Sequence, residues 1–262
     1  MIVSLGDLLL DVIVRLEQPL AEGADADAVT RLGPGGQAAN VAAWVAELGG
    51  KARFVGKTAD DEAGRTARGA LARYGVDVRG PVVDGRTGTI VSLVGADGGR
   101  TMASDRGVSP DLHADEFEVD WFRGETLHLP VYSLVREPVA TAALRAAELA
   151  ESVSVDLSSW SVIRDFGPER LRERLEALDP DVVFANEAEE EAIGGRVGSA
   201  MWIVKLGPGG ARFGDEVLPA RPAKVVDTTG AGDAFAAGWL VGGPELALEA
   251  AARCVARLGS MP

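Results

Sequence analysis

The chain is poor in the residues on which several kinds of protein depend. One cysteine, Cys254, stands among 262 residues, which excludes an internal disulfide and any multi-cysteine metal site and fits a reducing compartment. The two histidines, His113 and His128, are spaced neither with each other nor with other residues in a metal-ligand or nucleophile pattern, so both read as structural. Positive charge is scarce as well: 26 Lys and Arg face 40 Asp and Glu, a formal net charge of −14. A phosphate backbone or an anionic bilayer demands clustered Lys and Arg, so neither nucleic acid nor membrane is expected as a partner. No run approaches the roughly 18 continuous apolar residues of a membrane span. Residues 1–14 lack the basic start of a secretory signal, and Asp7 and Asp11 interrupt their apolar run, so the expected location is the cytoplasm. No Pro- or Ser-rich linker divides the chain, which points to one large α/β domain over residues 1–262 rather than two smaller ones.

Glycine, by contrast, is plentiful at 33 residues, and its placement organises the reading. In Asp227-Thr228-Thr229-Gly230-Ala231-Gly232-Asp233-Ala234-Phe235-Ala236-Ala237-Gly238, two glycines bracket Ala231, a helix-forming run follows at once, and Asp233 falls in what would be the first turn. A helix N-terminus leaves backbone N–H groups without intrahelical partners and carries about half a positive charge. A glycine-rich approach to it lets a phosphate come against bare amides. The amides of Gly230, Ala231, Gly232 and Asp233 can then hold charge on a transferred phosphoryl group while Asp233 takes a proton from an alcohol. A helix start that uses Gly and Asp only for capping is the alternative reading.

The rest of the chain supplies a frame for that stretch. Residues 1–16 read as a strand, a Gly-Asp break and a second apolar stretch alternating around Asp11, which stands either at the start of a cleft or as a turn or edge carboxylate. Residues 33–48 form a glycine-rich turn and a helix ended by Gly49-Gly50, bringing backbone amides and Asn40 to the mouth of a sheet. A buried Asn40 that satisfies backbone groups is the other possibility. No Lys-Ser/Thr pair follows these glycines, so they are not a Walker A loop. Residues 52–78 alternate strand, helix and strand, the rhythm of a parallel sheet with right-handed crossovers. Residues 88–95, the turn Ala96-Asp97-Gly98-Gly99 and residues 100–104 break it as a β-hairpin. With the strand-like residues 12–18 and 27–32, the hairpin would build a small sheet standing off the main one, from segments at about 12–32 and 86–104. The rhythm then resumes: a strand near Thr126, a helix across 136–150, a strand ending at Asp156, a helix at 168–178, a strand before Asn186, a strand ending near Lys205, and a last helix from Pro244 to Leu258.

GPGGQAANVA at 33–42 and DTTGAGDAFAAG at 227–238, in that order, resemble the paired signatures of the ribokinase-like, or PfkB, carbohydrate kinases, and the resemblance extends over essentially the whole chain. It implies a three-layer α/β/α fold with a mostly parallel sheet and a small β-sheet lid. The lid would exclude water, the competing phosphoryl acceptor, and could also be a homodimer surface. The implied activity is transfer of the γ-phosphoryl group of ATP to a hydroxymethyl group of a small sugar or sugar derivative. A nucleoside kinase of the same fold, and a non-catalytic sugar or nucleotide sensor derived from it, are the alternatives.

The resemblance assigns Asp11, Gly35, Gly36 and Asn40 to the sugar and turns Arg106 toward it, with an ion pair to Asp105 as the other reading of Arg106. Asn186 and Glu189 match a motif that positions phosphate and hydrated Mg²⁺, although a capped helix start would use the same residues. Lys205, Gly207 and Gly210 would lie beside the nucleotide; Lys205 stands where the family often has a small hydroxyl residue and either reaches a phosphate or is solvated. A K⁺ site would use Asp227 and Thr229. The chain also departs from the pattern. Gln37 stands where a lysine or aromatic is frequent, Ser158 and Trp160 replace an asparagine and an arginine after Asp156, and no asparagine follows Asn186 to meet an adenine. Arg164 is near enough in sequence to stand in for the missing arginine.

Overall fold

The structure, a computed structural model, describes residues 1–95 and 100–262, the Arg100 side chain excepted. The first half runs β1 (Ile2–Leu5), β2 (Leu9–Leu16), β3 (Ala28–Gly35), α1 (Gln37–Glu47), β4 (Ala52–Val55), β5 (Thr58–Ala59), α2 (Glu62–Arg73), β6 (Asp77–Arg79), β7 (Val82–Val83), β8 (Thr87–Val94) and β9 (Arg100–Gly107). The second runs β10 (Thr126–Pro130), α3 (Val139–Ala147), β11 (Ser152–Asp156), α4 (Trp160–Phe166), α5 (Pro168–Leu178), β12 (Val182–Asn186), α6 (Glu187–Ala192), β13 (Met201–Lys205), β14 (Ala211–Phe213), β15 (Glu216–Leu218), α7 (Ala231–Gly242) and α8 (Pro244–Val255).

The main sheet has the order β15-β14-β13-β12-β11-β10-β1-β4-β6. Its pairs from β6 through β13 are parallel. The last two strands add an antiparallel edge that the sequence reading did not contain. Buried strands of this kind carry apolar residues on both faces because helices cover both. On one face Ala143 of α3, Ile163 of α4 and Leu171 of α5 join Val3, Leu127 and Val155. On the other, Ala42 of α1, Leu71 of α2, Ala237 of α7 and Ala250 of α8 pack with Ala52 and Phe54. The three layers are therefore the α/β/α architecture expected. Short alanine side chains let α1 and α7 approach each other, and Trp44 fills the remaining space, fully buried, with its indole N–H donating to the Ser260 carbonyl at 2.8 Å. Truncating a core tryptophan typically costs about 3–5 kcal/mol.

A second sheet, β3-β2-β8-β9, stands apart from the first and corresponds to the lid segments. Its boundaries differ from the expectation in two respects that bear on function. β2 begins at Leu9, so Asp11 lies within a lid strand, opposite Gly33 on one side and Ile90 on the other. β9 continues past the expected 104 to Gly107, so Asp105 and Arg106 are strand residues. The turn expected at Ala96-Asp97-Gly98-Gly99 lies outside the described residues. Along β2, Leu9, Asp11 and Ile13 are buried while Leu10, Val12 and Val14 are half-buried on the opposite face, the period of two that a strand requires. Among the helices, α5 occupies the expected span, α3 is shorter than expected and begins after Pro138, and α4 is a short helix the sequence reading missed.

Candidate active site

Strand order reverses between β1 and β10, since the chain leaves β1 for β4 and β6 and returns to β10 before continuing outward to β13. Open α/β sheets bind ligands beyond the carboxyl ends of the strands at such a point. Asp7 follows β1 there, and Asp156, Asn186 and Lys205 are the last residues of β11, β12 and β13. The register sets Asn186 directly beside Lys205.

The start of α7 faces the same end. Gly230, its N-cap, has φ 77°, and a Cβ there would lie 2.6 Å from Ser260, so both conformation and space require glycine. Asp233 follows in the first turn and is only 6 % exposed. It spends its carboxylate on α1 rather than on its own helix: Asn40 Nδ2 donates to Oδ2 at 2.7 Å and Gln37 Nε2 to Oδ1 at 3.4 Å. Burial pushes its pKa up to about 7; the Asn40 bond opposes the rise, the Asp156 charge adds to it, and Lys205 and Gln37 draw it down. The group therefore exchanges its proton near neutrality.

Lys205 is not the solvated lysine that stood as one alternative. Its Nζ lies 2.7 Å from Asp156 Oδ2, and a Cβ on Gly232 would lie 3.2 Å from that nitrogen, so the ammonium faces the glycine loop. Burial alone would lower its pKa, but Asp156 and Glu189 outweigh burial and the net shift is upward, which keeps it charged. Burial raises the pKa of Glu189, against the pull of Lys205. Glu189 also closes a capping box: Asn186 N donates to Oε2 and Asn186 Nδ2 to Oε1, both at 2.8 Å, and Glu189 N donates to Asn186 Oδ1 at 2.9 Å. The capped helix start is thus present. Each Glu189 oxygen retains a lone pair for a water, which fits a hydrated Mg²⁺ held through water.

Beyond Asp156, Ser158 sits at φ 60°, held there by its own N–H donating to Asp156 Oδ1 at 2.9 Å. Trp160 is 49 % exposed, and Arg164 stacks 5.1 Å from its ring and bonds Asp165 at the surface, so Arg164 does not replace the arginine absent at 160. His128 is buried beside Ser154 Oγ at 3.0 Å, its pKa pushed down to about 4 by burial, and is therefore neutral.

On the lid side, a Cβ at Gly35 would fall 2.0 Å from Asp11 Oδ1, so the carboxylate lies against bare backbone. Asp11 Oδ1 is buried with no hydrogen-bond partner. Burial raises its pKa to about 6, opposed by the Ser260 hydroxyl. Arg106 does not pair with Asp105, which bonds Arg86 instead; it pairs with Asp7 and lies 3.7 Å above the Tyr132 ring. Burial brings its pKa down to about 10. Asp227, at the start of the glycine loop, accepts from Thr229 N at 2.9 Å, Thr229 Oγ1 at 2.6 Å and Gly259 N at 3.0 Å, tying the loop to residue 259.

Two cavities flank these groups. One of about 360 Å³ is lined by Asp11, Arg31, Arg73, Tyr74 and Ser260 among others. The second, of about 430 Å³, is lined by Lys205, Gly207, Gly210, Thr228, Gly232 and Phe235 among others. Ser260 Oγ donates to Asn40 Oδ1 at 3.0 Å, and Asn40 donates to Asp233, so a hydrogen-bonded chain runs from the first cavity to the helix start that borders the second. Sequence reasoning missed Gln37, Ser260 and the Lys205–Asp156 pair as members of this site. Gln37 and Asn40 lie one turn apart on a helix that was expected, so their shared face was legible. The pairing of Lys205 with Asp156 depends on strand order, which no local signal carries.

The fold is that of the ribokinase-like kinases. Residues 1–261 match the family described as pfkB family carbohydrate kinase, and the chain belongs to that family and is a carbohydrate kinase. It is 36 % identical to fructokinase-1 of Zea mays, with 90 % of this chain and 80 % of that protein covered. It is 35 % identical to the ATP-dependent ribose-1-phosphate kinase of Halopiger xanaduensis, with 97 % and 90 % covered. Among solved structures, adenosine kinase from Sinorhizobium meliloti matches with a TM-score of 0.87 at 25 % identity over 100 % of this chain and 95 % of that one. A sugar kinase from Pyrococcus horikoshii in complex with ATP matches with a TM-score of 0.83 at 26 % identity, with 100 % and 95 % covered. Among the described residues no helix is long and apolar enough to cross a membrane.

Proposed function

We propose that the enzyme transfers the γ-phosphoryl group of ATP to a hydroxymethyl group of a small sugar or sugar derivative, with Asp233 as general base and the 230–233 amides as the anion hole. The observation that carries this reading is Asp233 itself: a buried carboxylate with a pKa of about 7, in the first turn of a helix reached through Gly230, joined through Asn40 to the cavity that holds Asp11. An efficient base has its pKa near the working pH.

The acceptor occupies the first cavity. Asp11, on the wall of that cavity, offers its unpartnered Oδ1 to a sugar hydroxyl, Gly35 and Gly36 let the Asp11 carboxylate and the Asp7 backbone close in, and Asn40 orients Asp233 toward the reacting hydroxyl. Arg106 acts through its pair with Asp7, bracing β9 against the body rather than reaching the sugar itself. The donor occupies the second cavity, with Gly207 and Gly210 at its wall and Lys205 directed at its phosphates; Asn186, paired with Lys205 in the sheet, and Glu189 would hold Mg²⁺ through water. Mg²⁺, when bound, neutralises phosphate charge. Asp233 takes the hydroxyl proton as the oxygen attacks, and the amides of Gly230 to Asp233 receive the negative charge.

The plant fructokinase supports a sugar as acceptor; a nucleoside acceptor is the second reading, favoured by the TM-score of 0.87 to adenosine kinase. A homodimer through the lid belongs to the same proposal. Leu10, Val12, Val14, Val91 and Leu93 are half-buried and Leu32 is 66 % exposed on one face of the small sheet, an apolar surface that a two-fold copy would cover. K⁺ at Asp227 and Thr229 is the last element, read as a higher melting temperature in KCl than in choline chloride. The test of the whole is a coupled assay over a panel of sugars and nucleosides with MgATP. ATP should be consumed only when an acceptor is present; hydrolysis that proceeds equally without one contradicts the proposal.

A further inference from the structure

We infer that the donor cavity is indifferent to the nucleobase, so that ATP, GTP and ITP serve as phosphoryl donors alike. This rests on the reading of the 430 Å³ cavity as the donor site.

The polar side chains of that cavity are few: Lys205, Thr228 and Arg221. Lys205, Thr228 and Gly232 stand where the helix start and the Asp156 ion pair are, and they are suited to phosphate. The other side chains on the wall are mostly hydrocarbon, Ala223, Val225, Phe235, Leu248, Ala251 and Val255 among them, and Pro208 and Pro222 contribute no backbone N–H. Arg221 is the one polar side chain among these others, and it is half-exposed and bonded to Glu245. Among the described residues lining the cavity there is no Asn, Gln, Asp, Glu or Ser.

Strong discrimination between molecules of one shape comes from buried polar groups that the wrong ligand leaves unpaired. An apolar wall returns only the area it removes from water, and adenine, guanine and hypoxanthine offer nearly the same area. The amino group of adenine and the carbonyl of guanine thus meet no side-chain complement. The acceptor cavity is built the other way, with Asp11, Arg31, Arg73, Tyr74 and Ser260 on its wall, so the enzyme's selectivity is concentrated on the acceptor.

The test is calorimetric titration of the full chain with MgADP, MgGDP and MgIDP, followed by turnover with the three triphosphates on whichever acceptor the panel identifies. Dissociation constants within about tenfold of one another are expected, and kcat/KM values likewise. GDP or IDP binding more than tenfold weaker than ADP would overturn the inference, as would failure of all three to bind. Equal binding without phosphoryl transfer to any acceptor would leave base indifference standing and remove the catalytic reading instead.

Discussion

The loop from 227 to 233 has an aspartate at each end, and the two are treated in opposite ways. Asp227 is surrounded by donors: two backbone amides and a hydroxyl, all within 3.0 Å, bind its oxygens and fix the loop to Gly259. Asp233 receives two side-chain amides from α1, one of them at 3.4 Å, and faces the charge of Asp156. Buried polar groups are normally satisfied, and a carboxylate given enough donors is an anchor. One that is buried with too few is costly as an anion and so binds a proton readily. Within seven residues the chain contains one carboxylate rich in donors and one short of them, and hydrogen-bond supply separates the two.

The largest effect that could break this contrast is that of Asp233→Asn on turnover. The amides of the helix start stay in place, so ATP affinity should change little while kcat falls by at least roughly 10². A folded variant with near-wild-type kcat would make Asp233 a structural residue like Asp227. Next is Lys205→Met, expected to lower kcat/KM for ATP by about 10² by removing a charge-assisted phosphate contact, with Lys205→Arg recovering part of it. It should also lower the melting temperature, because Asp156 loses its buried counterion. An unchanged KM for ATP and unchanged kcat would restrict Lys205 to structure. Smaller again, Asp11→Ala should raise the acceptor KM about tenfold or more while leaving the KM for ATP alone; equal changes in both would remove Asp11 from the acceptor site.

Much of this was legible in the sequence, and the failures have physical causes. The glycine pattern before Asp233 and the βα rhythm specify local conformation, so the helix start, the layers and the lid all followed. Asp11 and Asn40 stand on elements that the sequence placed, yet the sequence could not say that Asp11 would lose enough water to titrate near 6, since burial is a property of packing. Arg106 pairs with Asp7, 99 positions away, and Lys205 with Asp156, 49 positions away. Reading along the chain offered Asp105 for Arg106, and a phosphate or bulk solvent for Lys205, because only nearby residues are visible along a chain. Glu189 shows the converse: the capping box and the motif for a hydrated metal use the same spacing, and geometry satisfies the first without excluding the second.

The contrast between the two aspartates is tested most directly by the pH dependence of unfolding. Burial raises the folded-state pKa of Asp233 from an ordinary 3.8 to about 7, so between those values the native state holds a proton that the unfolded chain has released. Stability from that proton is present below the unfolded pKa and is lost as pH rises through the folded one. Asp233→Asn abolishes the titration. Its unfolding free energy relative to wild type should therefore increase by about 3 kcal/mol between pH 5 and pH 8, making the variant the more stable protein at pH 8 where the two start near-equal at pH 5. Asp227→Asn, which loses an anchor, should instead be destabilised at both pH values by about 1–3 kcal/mol. If Asp233→Asn were likewise less stable than wild type throughout, with no change in the difference across that range, Asp233 would be an anchor too, and the account of it as a base poised near neutrality would be wrong.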